Sequence, residues 1–283
     1  MNGLVLEGGA MRGMFTAGVL DVMMEAGIRY DGAIGVSAGA AFGCNYKSGQ
    51  IGRVIRYNTA FCRDKRYCGL RSLLLTGSLY SPRFCYHTVP NEYDVFDNEA
   101  YEKDPMAFYV VTTDLLTGTP VYRRCDRGGD EFFEWIRASS SLPMVSLPVM
   151  LEGRPMLDGG MTDAIPLLYF ESIGYEKNVV VLTRPRDYRK EPTGHLRMLR
   201  HSLRRYPLAY AAMVRRHEVY NKTLDDIAAR EAAGRAYVIA PREPLQIGSM
   251  ERDPDKLRAI YEIGREAGRE TVEDVKRFLE GSA

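Results

Sequence analysis

The chain has few of the features that would tie it to a metal, to disulfides or to nucleic acid. Its five cysteines are scattered through 283 residues and no two are spaced as C-x-x-C, which argues against a zinc site or a disulfide framework. We expect free, buried thiols, as in a reducing cytoplasm. The 38 Lys and Arg residues nearly balance the 37 Asp and Glu residues, leaving a formal net charge of +1. A nucleic-acid partner is therefore not expected, because duplex binding relies on an excess of positive charge.

Long apolar runs are also missing. No stretch approaches the roughly 18 apolar residues that a membrane-spanning helix needs. Residues 1–7 have neither the basic start nor the apolar core of a signal peptide. We expect a cytoplasmic protein that meets lipid only at a membrane surface. No repeat or Pro/Ser-rich linker divides the chain, so one domain with insertions is expected over residues 1–283, and its oligomeric state stays open.

What the chain does contain is a serine in a distinctive setting. Gly35-Val36-Ser37-Ala38-Gly39 follows a short apolar run and precedes a stretch of small residues. Strand, sharp turn and helix are the setting of a nucleophile elbow, G-x-S-x-G, in which the serine stands out of the sheet. A helix beginning after Ser37 also directs its free N–H groups at an oxyanion formed there. The motif predicts that Ser37 is a nucleophile, supported by Gly35 and Gly39.

A glycine-rich loop lies between the apolar strand at residues 4–6 and a helix. Such a loop binds negative charge through its backbone N–H groups. It lacks the Gly-Lys-Ser/Thr ending of a P-loop, and its glycine spacing does not match a dinucleotide fingerprint. An oxyanion hole serving Ser37 and a plain strand-to-helix turn both stay open, and Arg12 is expected to brace the loop. The oxyanion interpretation assigns this role to Gly8, Gly9, Ala10, Met11, Arg12 and Gly13.

A carboxylate stands at the end of another predicted strand. Glu152-Gly153 predicts a hairpin turn whose second strand leads into Asp158-Gly159-Gly160. An acid followed by two glycines suits a residue held in a cleft that other backbone approaches closely. An Asx turn at a strand end gives the same pattern. The preceding segment 138–143, Ala-Ser-Ser-Ser-Leu-Pro, has no elbow around it and is interpreted as small residues packed near the site.

None of the four histidines suits a catalytic triad, because all fall in helical or irregular segments and none follows a predicted strand. These are His87, His195, His201 and His217. In a parallel sheet the carboxyl ends of the strands line one crevice, so the glycine loop, Ser37 and Asp158 are expected to meet there. Amide donors, a nucleophile and a carboxylate are the components of acyl transfer. We therefore predict a Ser37–Asp158 dyad that needs no histidine, metal or cofactor.

Two further segments allow two interpretations each. Residues 51–104, rich in Tyr, Phe, Arg and Cys, form either a cap over the site or ordinary helical packing. Residues 184–222 carry eleven Lys or Arg against three Asp or Glu, and form either a membrane-surface contact or a solvated helix face. Residues 184–283 as a whole are expected to be a helical elaboration with one or two strands. A compact apolar face in the first segment is expected from Leu70, Leu73, Leu74, Leu75 and Leu79.

Taken together, the motifs resemble the patatin-like phospholipase family, in family order, over about residues 4–166 and more weakly beyond. The glycine loop resembles its oxyanion motif, residues 35–39 its G-x-S-x-G, residues 158–160 its D-G-G/A and residues 138–143 its small-residue stretch. The likeness is strongest to the bacterial single-domain members. It implies a three-layer α/β/α sandwich with a mostly parallel sheet, and a lipid acyl hydrolase with a Ser–Asp dyad. Two positions depart from the pattern: Ala10 replaces a glycine, and Glu7 stands where many members have Asp.

The chemical hypothesis is hydrolysis of a lipid carboxylic ester. Ser37 attacks the ester carbonyl, Asp158 accepts and returns the proton, and water then releases the acyl group from the serine. Two alternatives stay open. One is a patatin-shaped module that binds lipid or protein through its basic segment without catalysis, and the other is an acyltransferase or thioesterase with the same dyad. The lipid, the acyl position and the chain length are not determined by the residues.

Overall fold

The computed structural model describes residues 1–281, so the last two residues of the predicted 1–283 domain lie outside it. Within these residues the strands are β1 (Asn2–Leu6), β2 (Gly32–Val36), β3 (Ala107–Asp114), β4 (Thr119–Arg124), β5 (Val149–Leu151), β6 (Arg154–Asp158), β7 (Lys177–Val181) and β8 (Ala236–Ile239). The α-helices are α1 (Gly13–Glu25), α2 (Ala38–Lys47), α3 (Arg53–Phe61), α4 (Leu70–Thr76), α5 (Asn98–Lys103), α6 (Asp130–Ser139), α7 (Leu167–Ser172), α8 (Leu196–Ser202), α9 (Pro207–Ala232) and α10 (Pro254–Glu280). Short 3₁₀ turns cover Ala10–Arg12 and Gly159–Met161, and a π-helix covers Phe84–Tyr93.

All of these strands join one mixed sheet. Its order is β5-β6-β3-β2-β1-β7-β8, with β4 paired to β3 off this path. The strands β3, β2, β1, β7 and β8 run parallel, whereas β4, β5 and β6 add antiparallel pairs at one side. The parallel pairs need the crossovers that the intervening helices supply.

The sheet is covered by helices on both faces because its strand residues point alternately to either side. On β1, Leu4 and Leu6 join a core with residues of α1, α2, α6 and α10. Val5 between them joins a second core with residues of α7 and α9. The period-2 alternation of buried residues in β1 therefore builds two apolar layers. The predicted three-layer α/β/α fold is confirmed.

The edge of β3 that faces β2 is shared by two strands. β2 pairs with Ala107–Val111, where Val36 stands opposite Val111. β6 pairs with the next three residues of β3, where Asp158 stands opposite Thr112. β4 pairs with residues 109–114 of β3. It must therefore occupy the opposite edge of β3, because a strand has only two edges. The ends of β2 and β6 therefore meet head-on at neighbouring positions of β3.

This arrangement corrects the reason given for expecting Asp158 in the site. The expectation treated the strand that ends at Asp158 as one of the parallel set, but β6 runs antiparallel to β3. Its carboxyl end lies at the crevice only because β6 is short and overlaps the last three residues of β3. β2 runs from Gly32 to Val36 and so includes the first two residues of the G-x-S-x-G motif.

The segment 51–104 folds as helices α3, α4, the π-helix and α5. Its aromatic residues and its leucines are placed differently. Its aromatic residues form a small core of their own around Tyr67, Phe84 and Val89. The leucines predicted to form an apolar face are mostly not buried: three of the four on the seven-residue helix α4 are exposed, and Leu73 is half-buried. The exposed fractions are 75% for Leu70, 85% for Leu74 and 73% for Leu75.

Candidate active site

Ser37 occupies the sharp turn between β2 and α2. Its backbone angles, φ 55° and ψ −122°, lie outside the common regions for a residue with a side chain. The turn is tight enough that a Cβ on Gly35 would lie 2.6 Å from the Ala40 nitrogen, and a Cβ on Gly39 would collide with the Leu6 carbonyl oxygen. Both glycines are therefore required by close backbone approach, as the elbow motif predicts.

A second serine holds the backbone of this turn. The Ser139 hydroxyl accepts a hydrogen bond from the Ser37 N–H (2.8 Å) and donates one to the Val111 carbonyl oxygen (2.6 Å). Ser139 ends α6 and is fully buried. The sequence placed the serine run near the site but did not single out this residue. In the sequence, Ser139 is one of three serines in a run of small residues ahead of the strand that ends at Asp158. Such serines are too common for the sequence to identify this one.

Asp158 lies beside Ser37 at the end of β6. Its N–H donates to the Ser141 carbonyl oxygen (2.8 Å), and its Oδ1 accepts from the Gly160 N–H (2.7 Å). Burial raises the pKa of Asp158 to about 6, although the Ser37 hydroxyl, the Arg216 charge and the Gly160 N–H act in the opposite direction. The two predicted dyad residues are thus brought together. Next to it, a Cβ on Gly159 would collide with the Val111 carbonyl oxygen.

The glycine loop lies next to the elbow. A Cβ on Gly8 would lie 3.1 Å from the Ser37 Cβ, and a Cβ on Gly9 would lie 2.6 Å from the Thr183 hydroxyl. Ala10, which stands at a glycine position of the family motif, has φ 49°. It therefore adopts the left-handed conformation that glycine takes without strain.

The structure narrows the predicted set of oxyanion donors. The Arg12 N–H donates to the Gly9 carbonyl oxygen, and the Gly13 N–H donates within the same turn. Neither is free to bind an oxyanion, so these two assignments are corrected. Within residues 1–281 no acceptor is found for the remaining predicted donors, which are the N–H groups of Gly8, Gly9, Ala10 and Met11.

Glu7 anchors the start of this loop. Its buried carboxylate accepts hydrogen bonds from the Thr183 N–H and hydroxyl and from the Tyr220 hydroxyl (2.6 Å). Thr183 follows β7, and Tyr220 lies on α9. Glu7, whose side chain is longer than the Asp found in many family members, thus joins the loop to the C-terminal half of the chain.

Two arginines flank the site with unsatisfied groups. The Nε atoms of Arg12 and Arg216 are buried and have no hydrogen-bond partner within residues 1–281. The Arg12 guanidinium donates no hydrogen bond to the described chain, so the expected bracing of the loop by Arg12 stays a prediction. Burial and the Arg184 charge lower the pKa of Arg12. Arg216 could not be singled out from the sequence, since it is one of many arginines in a basic segment.

An apolar cavity of about 510 Å³ opens beside Ser37. The segment 51–104 forms much of its wall, and its role as a cap stays a prediction. No histidine lines the cavity or contacts Asp158 in the part of the chain described. The same residues 1–281 hold no group of three or more His, Cys, Asp or Glu placed to bind a metal ion. Wall residues from this segment are Arg53, Tyr57, Tyr67, Leu79, Tyr80, Cys85, Tyr86, Val89 and Pro90.

Comparison with known families places this geometry. The family model described as patatin-like phospholipase matches residues 4–171, which include the glycine loop, Ser37 and Asp158. The chain belongs to the patatin-like phospholipase family. A second model, of a domain of unknown function called DUF6363, matches residues 206–280. α9, β8 and α10 of this patatin-like chain thus match a family model of their own, and α9 supplies both Arg216 and Tyr220 to the site.

Relatives of this patatin-like protein differ greatly in length. An uncharacterized Escherichia coli protein, YjjU, is 29% identical over 98% of this chain and 78% of its own length. A protein named lysophospholipase nte1 from Aspergillus terreus is 26% identical over 97% of this chain, but only 18% of its own length. The lysophospholipase NTE1 of Chaetomium globosum is 31% identical over 61% of this chain and 11% of its own. The chain thus spans less than a fifth of these fungal relatives.

No helix within residues 1–281 combines the length and the apolar character needed to cross a bilayer.

Proposed function

We propose that this protein hydrolyses a carboxylic ester of a lipid, with Ser37 as nucleophile and Asp158 as general base. The observation that carries the proposal is the contact between the Ser37 hydroxyl and a buried carboxylate at the edge of an apolar cavity. Membership of a phospholipase family and similarity to proteins named lysophospholipases support a lipid ester as the substrate class.

The first half of the reaction forms an acyl-enzyme. Asp158 takes the hydroxyl proton as Ser37 Oγ bonds to the ester carbonyl carbon, and the carbonyl oxygen becomes an oxyanion. The unengaged N–H groups of residues 8–11 and the start of α2 stabilise that charge. The intermediate then collapses, the carbon–oxygen bond to the alcohol breaks, and Asp158 returns the proton to the leaving alcohol.

The second half releases the fatty acid. Water gives a proton to Asp158 and bonds to the acyl carbon, and a second oxyanion forms in the same place. Its collapse breaks the bond to Ser37 Oγ, which regains its proton from Asp158. A carboxylate with a pKa of about 6 is a better base than an exposed aspartate and is still ionised at pH 7.

The protein reaches its substrate at a membrane surface. The exposed leucines of α4 lie beside the cavity wall, since Leu79 donates from its N–H to the Val145 carbonyl oxygen and both residues line the cavity. On the other side, the Met144 N–H donates to the Ser202 hydroxyl of α8. Residues 192–217 carry six arginines and no acid, which suits contact with anionic lipid headgroups.

Labelling with a fluorophosphonate probe tests the proposal directly. The wild-type protein is expected to be labelled, and Ser37→Ala is expected to be unlabelled while keeping the wild-type melting temperature. Release of fatty acid from a lipid ester should fall in parallel. A protein that binds lipid but is never labelled would be the non-catalytic module instead, and labelling that survives Ser37→Ala would place the nucleophile elsewhere.

A further inference from the structure

Four cationic side chains converge beside the glycine loop. They are Arg12 at the end of the loop, Arg184 after β7, Lys190 in the following segment and Arg216 on α9. We call these four residues the cationic cluster. All four are partly buried. Their charges act on one another, since Arg184, Arg12 and Arg216 each disfavour the charged form of Lys190.

Two members of the cluster lie over aromatic rings, and none is paired with an acid in residues 1–281. The Lys190 ammonium lies 4.5 Å from the ring centre of Tyr220, and the Arg184 guanidinium lies 4.6 Å from that of Tyr188. These are cation–π distances. No ion pair or side-chain hydrogen bond joins any member of the cluster to another residue in the described chain 1–281. In contrast, the neighbouring Arg189 is exposed and paired with Asp225 (2.9 Å).

The cost of this arrangement is visible in two ways. Burial and the neighbouring cations lower the pKa of Lys190 to about 8. The buried Nε groups of Arg12 and Arg216 have no acceptor within residues 1–281. A buried donor without an acceptor is costly, and a charged one more so. An anion bound among the four side chains would relieve both the repulsion and the missing acceptors.

The local charge balance indicates the valence of that anion. Glu7 favours the charged forms of Arg12 and Lys190, and the carboxylate of Asp158 is acted on by the charge of Arg216. The Glu7 oxygens are already engaged by Thr183 and Tyr220. Four cations against two carboxylates leave an excess of two positive charges. A phosphate monoester carries about −1.5 to −2 at pH 7 and matches this excess.

The position of the cluster links it to the reacting serine. Arg216 lines the Ser37 cavity, and its Nη2 lies 3.3 Å from where a Cβ on Gly160 would stand. Arg184 follows β7, which is separated from β2 and Ser37 by β1 alone. Two strand spacings amount to about 10 Å. The glycerol of a lipid bound at Ser37, together with an extended arginine side chain, is long enough to span the distance between Ser37 and the strand end before Arg184.

From this placement we infer that the cationic cluster is a phosphate subsite, and that the phosphate it binds is the headgroup of the lipid ester cleaved at Ser37. The inference rests on the proposed function for the position of the ester. It assigns a substrate class, lipids with a terminal phosphate, and makes Arg216, Lys190 and Arg184 specificity-determining residues. Most of the subsite comes from the C-terminal part of the chain, outside the residues 4–171 matched by the patatin-like model.

Binding to a catalytically silent protein tests the subsite without relying on turnover. In the Ser37→Ala background, mono-octanoyl glycerol phosphate is compared with mono-octanoyl glycerol by calorimetry. The phosphate-bearing lipid is expected to bind at least about tenfold more tightly, as contacts to a charged group imply. Adding Lys190→Gln should reduce that preference by about tenfold or more, whereas Arg189→Gln, which removes the same charge next door, should preserve it.

Inorganic phosphate distinguishes a headgroup from a free ion. It is expected to compete with the phosphate-bearing lipid and not with the uncharged one. Equal binding of the two lipids, or a preference that survives Lys190→Gln, would overturn the subsite. Phosphate binding that the phosphate-bearing lipid fails to displace would overturn the headgroup assignment. Failure of the proposed hydrolysis is a separate result, seen as absent fluorophosphonate labelling of the wild-type protein.

The melting temperature without ligand separates binding from a structural role. Removing one cation from a crowded cluster relieves repulsion, so Lys190→Gln should melt at or above the wild-type temperature. Phosphate should raise the melting temperature of the wild-type protein and have less effect on the variant. A clear fall in the variant's melting temperature would instead mark Lys190 as a structural residue and contradict the subsite.

Discussion

Ser37 and Asp158 lie at the facing ends of two strands that share one edge of β3. β2 leaves that edge just before Ser37, opposite Val111, and β6 arrives with Asp158 opposite Thr112. Their separation is therefore set by the register of β6 on β3. A one-residue slip would turn the Asp158 side chain to the other face of the sheet. The contact between Ser37 and Asp158 therefore depends on the pairing of β2 and β6 with β3, and not on the side chains around Ser37 alone.

Replacing Asp158 by Asn should separate activity from stability. We expect ester hydrolysis to fall by about 10²–10⁴-fold, because the general base is lost. Burial raises the pKa of Asp158 from its ordinary value of 3.8 to about 6 in the folded protein, so the folded state binds more protons between these two pH values. Stability is therefore lost as pH rises through this window. Asp158→Asn should gain up to about 3 kcal/mol at pH 8 and almost nothing near pH 3, measured by urea unfolding.

The pH profile of hydrolysis should report the same carboxylate. With an uncharged p-nitrophenyl ester, kcat/KM should rise with pH and reach half of its plateau near pH 6, because Asp158 must be ionised to accept the Ser37 proton. The Arg216 charge lowers the pKa of Asp158, so Arg216→Gln should move the midpoint to higher pH. Arg215→Gln is the control, since Arg215 is exposed and paired with Glu218. An unmoved midpoint in Arg216→Gln would contradict the coupling.

Ser139→Ala should weaken the elbow. The Ser37 N–H and the Val111 carbonyl oxygen both lose their partner in a fully buried place. A loss of about 1–3 kcal/mol in the free energy of unfolding is expected, together with a lower kcat on a p-nitrophenyl ester. Ser140→Ala is the matched control, because its buried hydroxyl has no partner within residues 1–281 and its removal should not lower stability. Equal effects of the two substitutions would argue against the proposed role.

Ala10→Gly should stabilise the protein. Ala10 has φ 49°, a conformation that costs a residue with a Cβ about 1–2 kcal/mol, and part of this is offset by the freedom that glycine adds to the unfolded chain. A net gain of about 0.5–1 kcal/mol is expected from chemical denaturation. The control Ala40→Gly lies inside α2 and should lose about 1 kcal/mol. A destabilised Ala10→Gly would show that the loop does not strain this alanine.

Leu74→Ser should weaken binding to phospholipid vesicles. Leu74 is 85% exposed beside the cavity wall, and burying a leucine side chain in lipid is worth about 1.5–3 kcal/mol. A loss of tenfold or more in vesicle affinity is expected by sedimentation. Ile263→Ser changes an exposed residue on α10 and should leave vesicle binding at the wild-type level. Equal losses in both variants would mean that α4 is not the contact.

Local sequence patterns were enough to predict the strands and turns that carry the motifs. The backbone passes too close to neighbouring backbone for a side chain at Gly35, Gly39 or Gly159. This requirement for glycine can be recognised in the sequence. The leucines of α4 show the opposite case. Five leucines within ten residues look like a core face, but whether an apolar side chain is buried depends on what stands opposite it. Nothing covers Leu70, Leu74 and Leu75 in residues 1–281.

From the sequence alone came the α/β/α class, the elbow at Ser37 and the glycine loop, because strand–turn–helix motifs are encoded by neighbouring residues. The acid before two glycines also singled out Asp158. Only the tertiary structure decided how these parts meet. It showed β6 entering antiparallel, Ser139 holding the Ser37 backbone, and Arg184, Lys190 and Arg216 gathering at the loop. Such contacts join residues more than 40 positions apart in the chain, and more than 100 for Ser37 and Ser139. Their energies depend on burial and charge in three dimensions, which no local spacing records.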